Sequence, residues 1–267
     1  MSDYRTPGVY IVEQNAFPTE IVAVPTAIPV FIGYTENAKD TNGKSLTGVP
    51  FKISSISDYE ENFGKGFKSK FKVNKDSSTS TVSVEIKPDT KAYLYDSIRI
   101  FYANGGGSCY IVSVGCHAGL ETLSITLADL IAPLDTDKGC LVKEPEPTLV
   151  VVPDAVGLND ADCCNVYNAV LAHCNTMQSR MGIFDTPKTD AAFTNFDGFI
   201  TNFRQALRMD FLKYGAVYFP WINTNIVREA TEIDLNSLDI DKSNIDGFAK
   251  IFIEKAVPKV LQNYLKQ

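Results

Sequence analysis

The chain has 267 residues, 45% of them hydrophobic and 21% charged, which excludes a wholly disordered chain and allows a domain with its own core. A formal net charge of −7 gives no overall basic surface for nucleic acid. No apolar run reaches the ~18 residues of a transmembrane helix and no apolar signal region follows residues 1–5, so we expect neither membrane insertion nor secretion by a cleaved peptide.

Residues 1–22 are predicted to form an extended arm. Pro7 and Pro18 restrict the backbone on either side of a short β-prone run at residues 9–12. A lone strand of this length leaves its backbone N–H and C=O groups unpaired. We therefore expect the run to pair with a sheet, in this molecule or in a neighbour.

The middle of the chain alternates between strand and helix patterns from about residue 90 to 220, which favours an α/β fold with a partly parallel sheet and flanking helices. Glycines at 64, 105 and 215 follow three of the predicted helices and are typical helix terminators. The predicted strands cover residues 30–34, 108–114, 148–153, 181–184 and 216–219. The predicted helices cover residues 56–63, 93–104, 123–131, 160–177 and 196–214.

Two further segments differ from this pattern. Residues 68–73 and 81–86 alternate in the manner of strands around a polar turn, which predicts a small surface hairpin near 66–88. Residues 232–246 are acidic and polar, and 247–267 have the pattern of an amphipathic helix interrupted near Pro258. We thus divide the chain into an arm at 1–22, an α/β core at 23–228, and an acidic linker with a helix at 229–267.

The six cysteines show no metal-binding or disulfide pattern. No C-x-x-C pair is present, and neither His117 nor His173 has a partner at metal spacing. Phosphate-loop and dinucleotide-binding glycine motifs are also missing from the sequence, so no metal and no cofactor is predicted. We expect the cysteines to be reduced and mostly buried. They are Cys109, Cys116, Cys140, Cys163, Cys164 and Cys174.

A hydrolase-like or degenerate enzyme remains an alternative interpretation. A serine or cysteine hydrolase would need one of the two histidines as its base, and no G-x-S-x-G motif is present. Asp154 and Asp185 follow predicted strands, where the sites of α/β enzymes are common, and Asp160 and Asp162 lie near a predicted helix start. Helix caps or loop turns account for each of the four carboxylates better than a catalytic role does.

Six segments, in chain order, resemble contractile-tail sheath proteins of phages and of extracellular contractile injection systems. They read TPGVYI followed by Glu13, VPTAIPVFIGY, NGGGSCYIV, VVPD, HC and YGAVYFPW. These segments span residues 6–221. Each motif is weak alone, but the set in this order is specific. The match includes the predicted arm, the first core strand and the helix-to-strand junction after residue 104.

The resemblance implies a non-enzymatic structural subunit with a subtilisin-like α/β core. Such subunits polymerise as a helix around an inner tube and contract to drive the tube through a target envelope. It implies assembly in the bacterial cytoplasm as part of a phage tail or tail-like particle. The implied partners are copies of the chain itself, the inner tube protein, and baseplate and cap proteins, without nucleic acid or membrane insertion.

The resemblance also assigns the arm as the connector between subunits, extended into the sheet of a neighbour. The connector residues are Pro7, Gly8, Val9, Tyr10, Ile11 and Glu13. Members of the family continue beyond the position of Trp221 with a C-terminal domain that has no counterpart in this chain. Such a chain is either a fragment or a natural short form, and we expect it to be a partial version of a longer sheath protein.

Overall fold

The computed structural model describes most of the α/β core and parts of the segments around it. The predicted arm at 1–22, the polar turn at 76–80 and the predicted helix at 247–267 lie outside the described residues. The described residues are 27–67, 69–75, 82–86, 92–187, 196–207, 209–222, 224 and 230–234.

The described elements alternate between strands and helices, as expected. The strands are β1 (Pro29–Thr35), β2 (Phe51–Ile53), β3 (Ser69–Lys75), β4 (Val82–Ile86), β5 (Cys109–Cys116), β6 (Leu149–Val151), β7 (Met181–Asp185), β8 (Gly215–Tyr218) and β9 (Ala230–Asp234). The α-helices are α1 (Ile56–Phe63), α2 (Leu94–Ala103), α3 (Leu127–Ile131), α4 (Asp160–Met177) and α5 (Phe196–Ala206).

A six-stranded sheet with the order β2-β5-β1-β6-β7-β8 forms the centre of the molecule. Neighbouring strands from β5 to β8 are parallel, and β2 is antiparallel to β5 at one edge. Every residue of β1 is buried, because this strand lies in the interior of the sheet with a helical layer on each side. The predicted α/β class with a partly parallel sheet is confirmed.

Alternate residues of β1 enter two hydrophobic cores on opposite faces of the sheet. Phe31 packs with residues of α1 and α2, whereas Val30 and Ile32 belong to a larger core with α3, α4 and α5. Within the larger core Tyr167 stacks on Phe184 with ring centroids 4.5 Å apart. The architecture is therefore three layered, with helices on both faces.

Local signals set several boundaries where the sequence predicts them. The Ser55 hydroxyl accepts the Asp58 N–H at the start of α1, and the side chain of Asn159 caps α4 in the same way through Asp162. Gly105 follows α2 with a φ of 81°, a conformation that favours glycine. The two caps join residues three positions apart, and the conformation of Gly105 is a property of a single residue. Such local features can be predicted from a short sequence pattern.

Other boundaries differ from the predictions. The helix predicted over 196–214 is two elements, because α5 ends at Ala206 and a 3₁₀ helix covers Met209–Tyr214. The helix predicted over 123–131 starts later, since the Thr126 hydroxyl accepts the Asp129 N–H and fixes the start of α3. Strand β6 stops at Val151, because a 3₁₀ helix begins at Pro153.

A second, three-stranded sheet has the order β4-β3-β9. The predicted hairpin is present as antiparallel β3 and β4, and β9 joins it parallel to β3. Residues 230–234, which are predicted to lie in an acidic linker, form the strand β9. In this pairing Glu232 is in register with Lys70 and Asp234 with Lys72.

Candidate functional site

The strand order places a topological switch point at the carboxyl ends of β1 and β6. The chain passes from β1 to β5 on one side of β1, and β6 then pairs with β1 on the other side. Ligands of open α/β sheets bind at such a switch point, outside the ends of the strands. Asp154 follows β6 directly and lies in the 3₁₀ helix Pro153–Gly157 at this position.

The Asp154 carboxylate is fully buried and accepts backbone N–H groups from two other elements. Its Oδ2 accepts the N–H of Tyr34, at the end of β1, at 2.8 Å. Its Oδ1 accepts the N–H groups of Tyr93 at 2.7 Å and Leu94 at 3.1 Å, at the start of α2. The start of a helix favours a negative charge, and here a side chain of the protein itself supplies that charge.

Gly33 makes room for this carboxylate. A Cβ atom at Gly33 would lie 2.4 Å from Oδ2 of Asp154, closer than any van der Waals contact allows. The pairing of β1 with β5 shifts register between Gly33 and Tyr34, at the residue whose N–H reaches Asp154. At the switch point Asp154 therefore acts as a structural cap that joins β1, α2 and the segment after β6.

The other candidate carboxylates have separate positions. Asp160 and Asp162 lie in the first turn of α4, where the Asn159 side chain accepts the Asp162 N–H and donates to its carboxylate. Asp185 ends β7 with an exposed side chain, and its carbonyl oxygen accepts the Tyr167 hydroxyl at 2.7 Å. In the part of the chain that the structure describes, no three Asp, Glu, His or Cys side chains are grouped to hold a metal ion.

His173 is fully buried, with both ring nitrogens engaged. Arg180 can only donate, so Nε2 of His173 accepts from Nη1 of Arg180 at 2.7 Å, and Nδ1–H donates to the Leu134 carbonyl oxygen at 3.1 Å. Burial and the neighbouring guanidinium lower the pKa of His173 to about 4. This geometry suits a neutral structural histidine.

His117 has a similar apolar environment. Its ring is buried and meets the ring of Phe67 edge to face, with centroids 5.1 Å apart. Burial lowers the pKa of His117, although the carboxylate of Glu36 acts in the opposite direction. The ring therefore favours its neutral, packed form.

The cysteines differ in accessibility. Burial raises the pKa of Cys163 and Cys174 to about 12 and that of Cys109 to about 11. Cys164 is also buried, Cys140 is half-buried and Cys116 is exposed at the end of β5. All six are free thiols in the structure. The expectation of mostly buried cysteines agrees with these positions.

We predict that one thiol reacts much faster than the others in the folded protein. A thiol reagent at pH 8 should label Cys116 rapidly, because it is exposed, and the four buried cysteines only after local opening. Mass spectrometry of time points would assign each site. Cys116→Ser should remove the fast phase, and fast labelling of Cys174 in that variant would contradict the buried position.

A group of exposed apolar side chains lies at and after β8, and we call it the β8-edge surface. Tyr218 is 61% exposed and Ile222 is 79% exposed. Trp221 is exposed but fixed, since its Nε1–H donates to the Thr186 carbonyl oxygen at 2.9 Å and its ring meets Tyr93 edge to face. The surface consists of Leu212, Val217, Tyr218, Phe219, Trp221 and Ile222.

Within the described residues, β8 is the edge strand of the main sheet and pairs with β7. This segment carries part of the family resemblance, but its sequence does not predict an exposed surface. The uncharged run from 214 to 222, YGAVYFPWI, identifies the segment as apolar. Whether such a segment is buried or exposed depends on the strand order. The predicted connector residues of the arm lie outside the described residues.

Comparisons with known proteins give a limited result. No protein-family model and no curated protein matches the chain. Among solved structures, this chain is similar to a chain in the cryo-EM structure of the anti-feeding prophage baseplate in its contracted state. The two chains are 21% identical and align with a TM-score of 0.49. The match covers 82% of this chain and 47% of that chain, so this chain spans about half of its length.

Proposed function

We propose that this protein is a structural subunit of a contractile sheath, which polymerises helically around an inner tube and contracts to drive the tube through a target envelope. The proposal rests first on the sequence resemblance. Its motifs fall on defined positions of the fold: the first core strand β1, the junction from α2 to β5, the segment from β6 to Asp154, and β8 with the residues that follow it.

The observation that carries an assembly role is the β8-edge surface. A strand edge offers unpaired backbone groups, and natural proteins protect such edges with charges, bulges or a covering segment. Residues 215–218 are uncharged, and several apolar side chains beside them are exposed. At the opposite edge, Lys52 in β2 pairs with Glu146 at 2.5 Å and places a charge there. An apolar edge of this kind supports contact with another protein surface.

The engagement of Asp154 at the switch point supports a non-enzymatic role over the alternative, a hydrolase-like enzyme. The carboxylate that stands where an α/β enzyme binds its ligand is engaged by three backbone N–H groups. His173 has no free nitrogen with which to activate a nucleophile. Hydrolytic activity that disappears in His173→Ala or His117→Ala would favour the enzyme.

The proposed partners are copies of this chain, the inner tube protein, and baseplate and cap proteins. Assembly takes place in the bacterial cytoplasm, within a phage tail or tail-like particle. The connector is the arm with Pro7, Gly8, Val9, Tyr10, Ile11 and Glu13, which adds a strand to the sheet of a neighbouring subunit.

Deletion of residues 1–15 from the full-length protein should abolish long sheaths and leave the core folded. The described strands and helices begin at Pro29, so the deletion removes no residue of any of them. Electron microscopy of the expressed protein would count striated tubes, and circular dichroism would check folding. Ser2→Ala is the matched control and should assemble normally. Normal sheaths from the deletion variant would show that the arm is not the connector.

A further inference from the structure

The sequence has two Asn-Gly pairs, and the structure places both in exposed turns. Asn42 and Gly43 lie at the tip of the loop between β1 and β2, and Asn104 and Gly105 follow α2. Glycine has no side chain that would hinder its backbone nitrogen. The nitrogen of a glycine in such a pair can attack the asparagine side chain before it, so each pair is a candidate site of spontaneous deamidation.

The reaction needs water as its only co-reactant. The backbone nitrogen of Gly43 loses its proton and bonds to Cγ of Asn42, the Cγ–Nδ2 bond breaks, and ammonia leaves with a proton taken from water. A second water then opens the five-membered succinimide at one of its two carbonyl groups. The product at position 42 is aspartate or isoaspartate, and the isoaspartate product carries one more carbon in the backbone.

The turn at Asn42 is held by hydrogen bonds to a single residue, Asp40. Its carboxylate oxygen Oδ1 accepts the N–H groups of Asn42 at 2.9 Å and Lys44 at 2.8 Å. Its carbonyl oxygen accepts the N–H of Gly43 at 2.9 Å. The Gly43 nitrogen must leave this carbonyl before it attacks Asn42. Residues 41–45 are exposed, and the opening of so small an exposed turn costs little free energy.

The second pair is held by the end of a helix. Asn104 donates both its backbone N–H, at 3.1 Å, and its side-chain amide, at 2.7 Å, to the carbonyl oxygen of Ile100. The Gly105 N–H donates to the carbonyl oxygen of Tyr102 at 3.0 Å. The reaction at Asn104 therefore requires that the last turn of α2 unwinds and that the side chain leaves its acceptor.

We propose that Asn42 is a site of spontaneous deamidation in the folded protein, restrained by the Asp40 turn, and that α2 protects Asn104. The product places a second negative charge close to Asp40. An isoaspartate also lengthens the backbone between Asp40 and Lys44, which are joined by a hydrogen bond from the Asp40 N–H to the Lys44 carbonyl oxygen at 3.0 Å. The modification thus opens the turn. This proposal is independent of the proposed sheath function.

Peptide mapping by mass spectrometry tests the proposal on the full chain incubated at pH 8. In the folded protein, conversion at Asn42 should be at least about tenfold faster than conversion at Asn104. In a urea concentration that unfolds the chain, the two rates should become similar, because glycine follows both asparagines and only the fold distinguishes them. Similar rates at the two sites in the folded protein would overturn the proposal, and so would faster conversion at Asn104.

A variant of the turn tests the restraint. Asp40→Ala removes the carboxylate that accepts from Asn42 and Lys44, so it should accelerate conversion at Asn42 and leave the rate at Asn104 unchanged. Asp135→Ala is the matched control, because Asp135 also accepts two backbone N–H groups in an exposed turn, far from Asn42 in the sequence. It should change neither rate. A rate at Asn42 that is the same in Asp40→Ala as in the unmodified protein would contradict the restraint.

Discussion

Replacing Asp154 by asparagine is expected to lower the free energy of unfolding by about 3 kcal/mol. The carboxylate accepts the N–H of Tyr34 with one oxygen and the N–H groups of Tyr93 and Leu94 with the other. An asparagine has one oxygen, so its NH₂ group must face either the N–H of Tyr34 or the N–H groups of Tyr93 and Leu94, and at least one buried backbone donor loses its acceptor. Hydrogen bonds to a buried charged group contribute about 1.5–3 kcal/mol each.

Urea denaturation followed by circular dichroism would measure this effect. Asp154→Ala should cost more, about 5 kcal/mol, because all three backbone donors lose their acceptor. Asp160→Asn is the matched control, since Asp160 is exposed in the first turn of α4 and should change stability by less than about 1 kcal/mol. An Asp154→Asn protein as stable as the control would contradict the capping role.

The sequence predicts those parts of the fold that depend on neighbouring residues. The apolar run from 30 to 34 is typical of a strand covered on both faces, and it forms the interior strand β1. The start of α4 follows from Asn159 and its end from the apolar pattern that stops near Met177. The α/β class follows from the alternation of such elements.

The features that the sequence does not reveal depend on distant residues. Strand β2 has only three residues and exists because β5 pairs with it, and β9 exists through its pairing with β3. Asp154 caps a helix, which is one of the two predicted roles, but the helix is α2, about sixty residues earlier in the chain. Periodicity within one segment carries no information about such partners.

The β8-edge surface shows the same limit at the functional level. The sequence shows an uncharged, aromatic run around Tyr218, which fits a buried strand as well as an exposed one. Only the order of the strands places β8 at an edge and leaves its apolar side chains exposed. Surface contacts of an assembly therefore require the fold before they can be located.

Acidification from pH 6.5 to pH 4 is expected to remove about 3 kcal/mol of stability through His173 alone. Burial and the guanidinium of Arg180 lower its pKa to about 4 in the folded protein, against about 6.5 in the unfolded chain. Between these values the unfolded chain binds more protons than the folded one. Stability therefore rises with pH across this window and is lost as the pH falls.

The structural cause is the contact between His173 and Arg180. A protonated ring would direct Nε2–H at Nη1 of Arg180, so two cationic donors would meet at 2.7 Å. Arg180 has little freedom to move away, because it is buried and also donates to the carbonyl oxygens of Pro147 and Glu144. Protonation thus costs a hydrogen bond and adds repulsion of like charges.

Unfolding curves at intervals of half a pH unit would test this, with His173→Gln as the decisive variant. Glutamine can accept from Arg180 and donate to Leu134 without titrating. The free energy of unfolding should therefore depend less on pH between pH 4.5 and 6.5. His117→Gln is the control. The pKa of His117 is also lowered, so the contribution of His117 to the pH dependence of stability must be subtracted. Carboxylates with a lowered pKa, such as those of Asp58 and Asp135, lose their contribution progressively below about pH 5 and mainly below pH 4. An unchanged slope in His173→Gln would show that this histidine is not the acid-sensitive group.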